Sequence, residues 1–106
     1  MVSQKDIVRA VRETAVAYGA QRALLFGSFA RGTATRRSDL DVVFVEQTAK
    51  PFLARLGRYL DRLTDQLHLA VDVFVYTPQE FERMQGGSFM NRLAREGKVV
   101  YERGEE

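Results

Sequence analysis

LFGSFARGTATRRSDLDVVFV, residues 25–45, sets the frame for the rest of the chain. Its first residues close a short apolar run, Ala23-Leu24-Leu25-Phe26, which reads as a buried strand stopped at Gly27-Ser28. Residues 28–38 mix Gly, Thr, Ser and Arg, the composition of a short helical turn followed by a loop. Leu40 to Val45, Leu-Asp-Val-Val-Phe-Val, is the clearest strand in the sequence. The segment therefore predicts strand, turn, strand, with polar residues gathered where the first strand ends and the second begins.

Outward from this centre, Ser3 is placed to cap a first helix running to Gly19. Ile7, Val8, Val11, Ala15 and Tyr18 form its apolar stripe. Pro51 opens a long helix to about His68, with Leu53, Leu56, Leu60, Leu63 and Leu67 as the core stripe. Arg55, Arg58 and Arg62 are expected on its solvated face, balanced in part by Asp61 and Asp65. Val71 to Tyr76 is a second strong strand, and Thr77-Pro78-Gln79-Glu80 starts another helix by the cap-then-proline rule. Gly86-Gly87 interrupts it, Ser88 is expected to cap a short helix to Glu96, and Lys98 to Glu102 makes a last strand. The fold class is thus α/β (α+β), one small sheet of three or four strands with helices packed against it. A chain of 106 residues leaves room for one domain, 1–106.

Composition narrows the chemistry. With no Cys, disulfides, zinc-thiolate sites and thiol nucleophiles are excluded, and the one His, His68, rules out a histidine-rich metal site. Lys and Arg total 16 against 14 acids, interleaved along the chain, so no basic stripe suggests direct DNA binding. No apolar run approaches the ~20 residues of a membrane span. The N-terminus lacks a signal-peptide core, so the expected address is cytoplasmic and no membrane partner is expected. Catalysis, if any, falls to carboxylates, hydroxyls and backbone groups.

Asp39 and Asp41 lie two apart at the entry of a strand, so both carboxylates point to one side while Leu40 and Val42 point to the other. Two such charges ~4 Å apart at an effective dielectric of ~20 repel by roughly 4 kcal/mol. A lone Asp-x-Asp is more often an exposed strand edge than a metal site. Asp72, set in the apolar run Val71 to Tyr76, changes that balance. If its strand lies beside Leu40–Val45, three acids converge, a donor set that suits Mg²⁺ with phosphate oxygens. Gly27-Ser28, where a strand gives way to a helical turn, offers backbone N–H groups and a hydroxyl to phosphate. Gly27 and Gly32 have P-loop spacing, but Thr33 and Ala34 stand where Lys and Ser/Thr are required, and no Gly-x-Ser-x-Gly elbow occurs.

Gly27-Ser28, ten residues, Asp39-x-Asp41 and then a strand acid at Asp72 together resemble the nucleotidyltransferase superfamily that includes polymerase beta. The chain is most similar to the minimal nucleotidyltransferases, small prokaryotic proteins reduced to the catalytic core. VDVFVYTPQEFERM (71–84) and REGKVVYER (95–103) extend the resemblance over most of the chain. It implies a mixed sheet of the nucleotidyltransferase fold. It also implies that Asp39, Asp41 and Asp72 are the catalytic acids and hold Mg²⁺, two ions in the family pattern. Gly27 and Ser28 would grip the triphosphate, with Arg31 in the Ala-Arg-Gly of these small members. Arg31, Arg36 or Arg37 would offset phosphate charge.

The same resemblance implies an activity: transfer of a nucleotidyl group, AMP from ATP, to an acceptor hydroxyl, with release of pyrophosphate. Minimal nucleotidyltransferases are typically paired, as antitoxins, with a small helical HEPN-domain toxin, and characterised members adenylylate a tyrosine of that partner. The alternative is an antitoxin or assembly subunit that neutralises its partner by binding alone. Intact Gly27, Ser28 and all three acids favour the enzyme.

Overall fold

The computed structural model describes residues 2–35 and 37–104. Helix α1 (Gln4–Tyr18) begins at Ser3, whose side chain accepts the Asp6 amide, and ends at Gly19 in the left-handed conformation, φ 71°. Strand β1 (Arg22–Phe26) leads directly into the short helix α2 (Gly27–Arg31). Strand β2 (Leu40–Val45) follows the loop, and after a 3₁₀ turn (Phe52–Arg55) come helix α3 (Leu56–Leu67) and strand β3 (Val71–Tyr76). Helices α4 (Pro78–Arg83) and α5 (Ser88–Glu96) precede the last strand, β4 (Lys98–Glu102).

The four strands form one mixed sheet in the order β3-β2-β1-β4. β1 runs antiparallel to both β2 and β4, whereas β2 and β3 are parallel, joined across the helix that parallel pairing requires. Alternation divides the sheet side chains between two layers. Ala23, Leu25, Val42, Phe44, Val73 and Val75 pack with α1 and α3, where Ile7, Val11, Tyr59 and Leu63 are fully buried. Leu24 and Val43 face the other way, against Met90 and Leu93 of α5, with Phe26, Phe74, Tyr76 and Phe89 around them. The second layer is smaller and more aromatic, and leaves the β2 and β3 starts uncovered by a long helix.

Both outer strands are guarded by arginine. Arg12 Nη1 donates to the Val100 carbonyl of β4 (2.6 Å), and Arg55 Nη1 to the Val75 carbonyl of β3 (3.0 Å). Arg55 departs from the sequence reading. Instead of lying on a solvated face it is 8% exposed and forms a two-pronged ion pair with Glu80, at 2.7 and 3.1 Å. The reason is that Pro51 starts a 3₁₀ turn, not the expected α-helix, and this shifts the phase before α3 begins. Leu53 is correspondingly 79% exposed, so the core stripe of this region is Tyr59, Leu63 and Leu67, backed by half-buried Leu56 and Leu60. Arg58 is matched by Glu46 of the preceding loop rather than by Asp61 or Asp65. Glu46 also accepts the buried Tyr59 hydroxyl, and burial, reinforced by that carboxylate, pushes the Tyr59 pKa far up. At α5 the N-cap is Gly87, and Ser88 is the first helical residue. Thr77 and Glu80 form the reciprocal capping box of α4. Among the described residues no helix is long and apolar enough to cross a membrane.

Candidate active site

The end of β1 and the starts of β2 and β3 lie side by side. Phe26 pairs with Asp41 across the antiparallel ladder, and Asp41 pairs with Asp72 across the parallel one. Three sequence-distant segments therefore meet in one row: Phe26-Gly27, Asp41, Asp72. Gly27 has φ 71°, and a Cβ on it would collide with Asp41 Oδ2. Only glycine lets the chain take that conformation while its backbone rests against the carboxylate.

Asp41 is half-buried; Asp39, just outside the strand, and Asp72 are exposed. Burial raises the Asp41 pKa above the usual carboxylate range, and the Asp72 charge, a hydrogen bond with Asp72 and the Asp39 charge push it the same way. Arg92 of α5 opposes the shift. Asp41 and Asp72 are thus a close pair with Asp39 within electrostatic reach. Among the described residues no three acid or imidazole groups are drawn in tightly enough to form a closed metal cage. An open, oxygen-only, mutually repelling set is what a hard cation with a mostly external shell can relieve.

Ser28 is half-buried in the first turn of α2. Its carbonyl accepts the Thr33 amide at 3.0 Å, folding residues 28–33 into a tight loop beyond Gly32, φ 77°. Arg31 is exposed and its Nη1 is 3.2 Å from Glu96 Oε1 of α5. Arg37 is also exposed; Arg36 lies outside the described residues.

Sequence reading did not bring α5 to this site. Phe89 sits edge-on against Phe26 at 5.7 Å and near Phe74 at 6.0 Å, so the helix rests on the strand residues that flank Gly27 and Asp72. Its amphipathic spacing signals a buried face, but nothing in residues 88–96 says which sheet end that face covers.

Comparison with known proteins gives the family and the fold. The nucleotidyltransferase-domain family matches residues 5–100, and the chain belongs to that family. A Methanocaldococcus jannaschii relative, described as a candidate protein adenylyltransferase, is 27% identical over 81 residues, covering 76% of this chain and 78% of its own. A solved structure described as a candidate minimal nucleotidyltransferase is 26% identical with a TM-score of 0.69, covering 92% of this chain and 95% of its own. A toxin-antitoxin structure with AMP-PNP shares the fold at 22% identity, TM-score 0.66, over 95% of this chain and 74% of its own. The activity class is nucleotidyl transfer.

Proposed function

We propose that the chain is a one-domain, Mg²⁺-dependent adenylyltransferase that moves AMP from ATP to a hydroxyl of a protein acceptor. The acceptor we assign is a tyrosine of a small helical HEPN-type toxin, for which this chain serves as the cytoplasmic antitoxin. The observation that carries the reading is the Asp41–Asp72 pairing on adjacent parallel strands, with Gly27 pressed against Asp41. The M. jannaschii relative and the toxin-antitoxin fold support the acceptor class.

Asp39, Asp41 and Asp72 are the residues that would hold Mg²⁺, and the crowding that raises the Asp41 pKa fits them to a cation. Bound there, Mg²⁺ would supply charge neutralisation to the phosphates and stabilisation to the attacking and leaving oxygens of an in-line displacement, as a two-metal site does. The Gly27 backbone and the Ser28 hydroxyl hold the β- and γ-phosphates, with Arg31 and Arg37 near enough in sequence to offset their charge. The acceptor oxygen bonds to the α-phosphorus as the bond to the β-phosphate bridging oxygen breaks, and pyrophosphate leaves. Asp72, exposed at the row's end, takes the hydroxyl proton.

The test is incubation with α-labelled ATP, Mg²⁺ and a candidate small helical HEPN-type partner, followed by mass spectrometry. A mass gain of one adenylyl group on a partner tyrosine is expected. Tight partner binding with no transfer under varied nucleotides and metals would establish neutralisation by binding alone.

A further inference from the structure

Helix α5 is tied to the site from two directions. Phe89 packs on Phe26 and Phe74, which flank Gly27 and Asp72. At the other end of the helix, Glu96 bridges two arginines, accepting from Arg31 Nη1 of α2 through Oε1 and from Arg92 Nε of its own helix through Oε2, both at 3.2 Å. Phe89 and Arg92 are three apart, hence on one helical face, so the packing that seats Phe89 also turns Arg92 toward the same end of the sheet.

We propose that Arg92 is a further contact for the donor's polyphosphate, lying opposite the Gly27-Ser28 turn, with Glu96 as the residue that positions it beside Arg31. This rests on the nucleotidyltransferase reading and adds a residue to it. Three features support it. Arg92 spends only its Nε on Glu96, so among the described residues its two terminal nitrogens remain for a ligand, the fork that matches phosphate oxygens. Its side chain is 61% exposed, open to an incoming anion rather than buried as a strut. It lies one turn on from Phe89, the residue that seats α5 on Phe26 and Phe74 beside the site. One carboxylate between two guanidiniums also leaves a net positive group next to three acids, which a polyanion needs and an acid cluster alone would repel.

The measurement is ATP and AMP binding by calorimetry with Mg²⁺ for wild type, Arg92→Ala, Arg92→Lys and the control Arg95→Ala, an exposed arginine on the same helix. Arg92→Ala should weaken ATP about 10-fold, the scale of a lost charge-assisted hydrogen bond, and leave AMP nearly unchanged. Arg92→Lys should recover part of the loss, and in turnover the effect should fall on KM for ATP rather than on kcat. An ATP affinity in Arg92→Ala equal to that of Arg95→Ala, or an equal loss for ATP and AMP, overturns the assignment while leaving nucleotidyl transfer intact. Absence of ATP binding by wild type overturns both.

Discussion

Gly27 meets two demands with one missing methyl: a positive φ and contact with the Asp41 carboxylate. Gly27→Val should therefore cost at least about 1 kcal/mol of stability from the left-handed backbone alone. It should also abolish most ATP binding by calorimetry while circular dichroism still reports a folded chain. Asp72 is the opposite kind of residue, exposed and under no packing constraint. Asp72→Asn should leave stability intact and lower kcat by at least ~10²-fold, the scale of a lost general base. ATP affinity should change far less, as expected when the loss lies in the transition state. A proportionate fall in affinity and turnover would reduce Asp72 to a binding group.

Among the elements, the strands and their order of charge were legible because the information is local. A β-run with one misplaced acid, a glycine at a strand end and a two-residue acid spacing are each visible within a few consecutive residues. Neighbouring strands then needed only a register, and Asp41 and Asp72 pair in it. What was not legible depended on phase or on distant packing. The apolar spacing from Leu53 onward looks helical, but a 3₁₀ turn has a different period, so Leu53 turns outward and Arg55 inward. Likewise α5 reaches the site through Phe89 and Glu96, whose partners Phe26 and Arg31 lie more than 60 residues earlier. The buried Arg55 gives a test of its own. The ion pair with Arg55 and the Thr77 amide hold Glu80 well below its ordinary 4.5, at about 2. A depressed carboxylate pKa stabilises the fold fully above 4.5 and loses that contribution as pH falls toward 2. Urea midpoints should drop over that interval in wild type and more shallowly in Glu80→Gln. Arg55→Ala should cost roughly 3 kcal/mol at neutral pH, the scale of an uncompensated partner in a largely buried pair.

At the scale of the whole molecule, the proposed cation site of three carboxylates at one end of the sheet should make stability depend on divalent metal. Mg²⁺ or Mn²⁺ should raise the melting temperature in proportion to occupancy, because a ligand that binds only the folded state stabilises it. Asp41→Asn should blunt that response and, by removing a repelling charge, leave the metal-free protein at least as stable as wild type. Equal metal responses in both proteins would move the cation elsewhere. The arginines on the two outer strands have a different reach. Arg12 and Arg55 each occupy a carbonyl that would otherwise invite another chain to add a strand. With one carbonyl taken on each outer strand, either edge offers an added strand fewer free acceptors. Arg12→Ala should therefore scatter light sooner on heating than wild type, at an unchanged melting temperature, whereas identical scattering would relieve Arg12 of that duty.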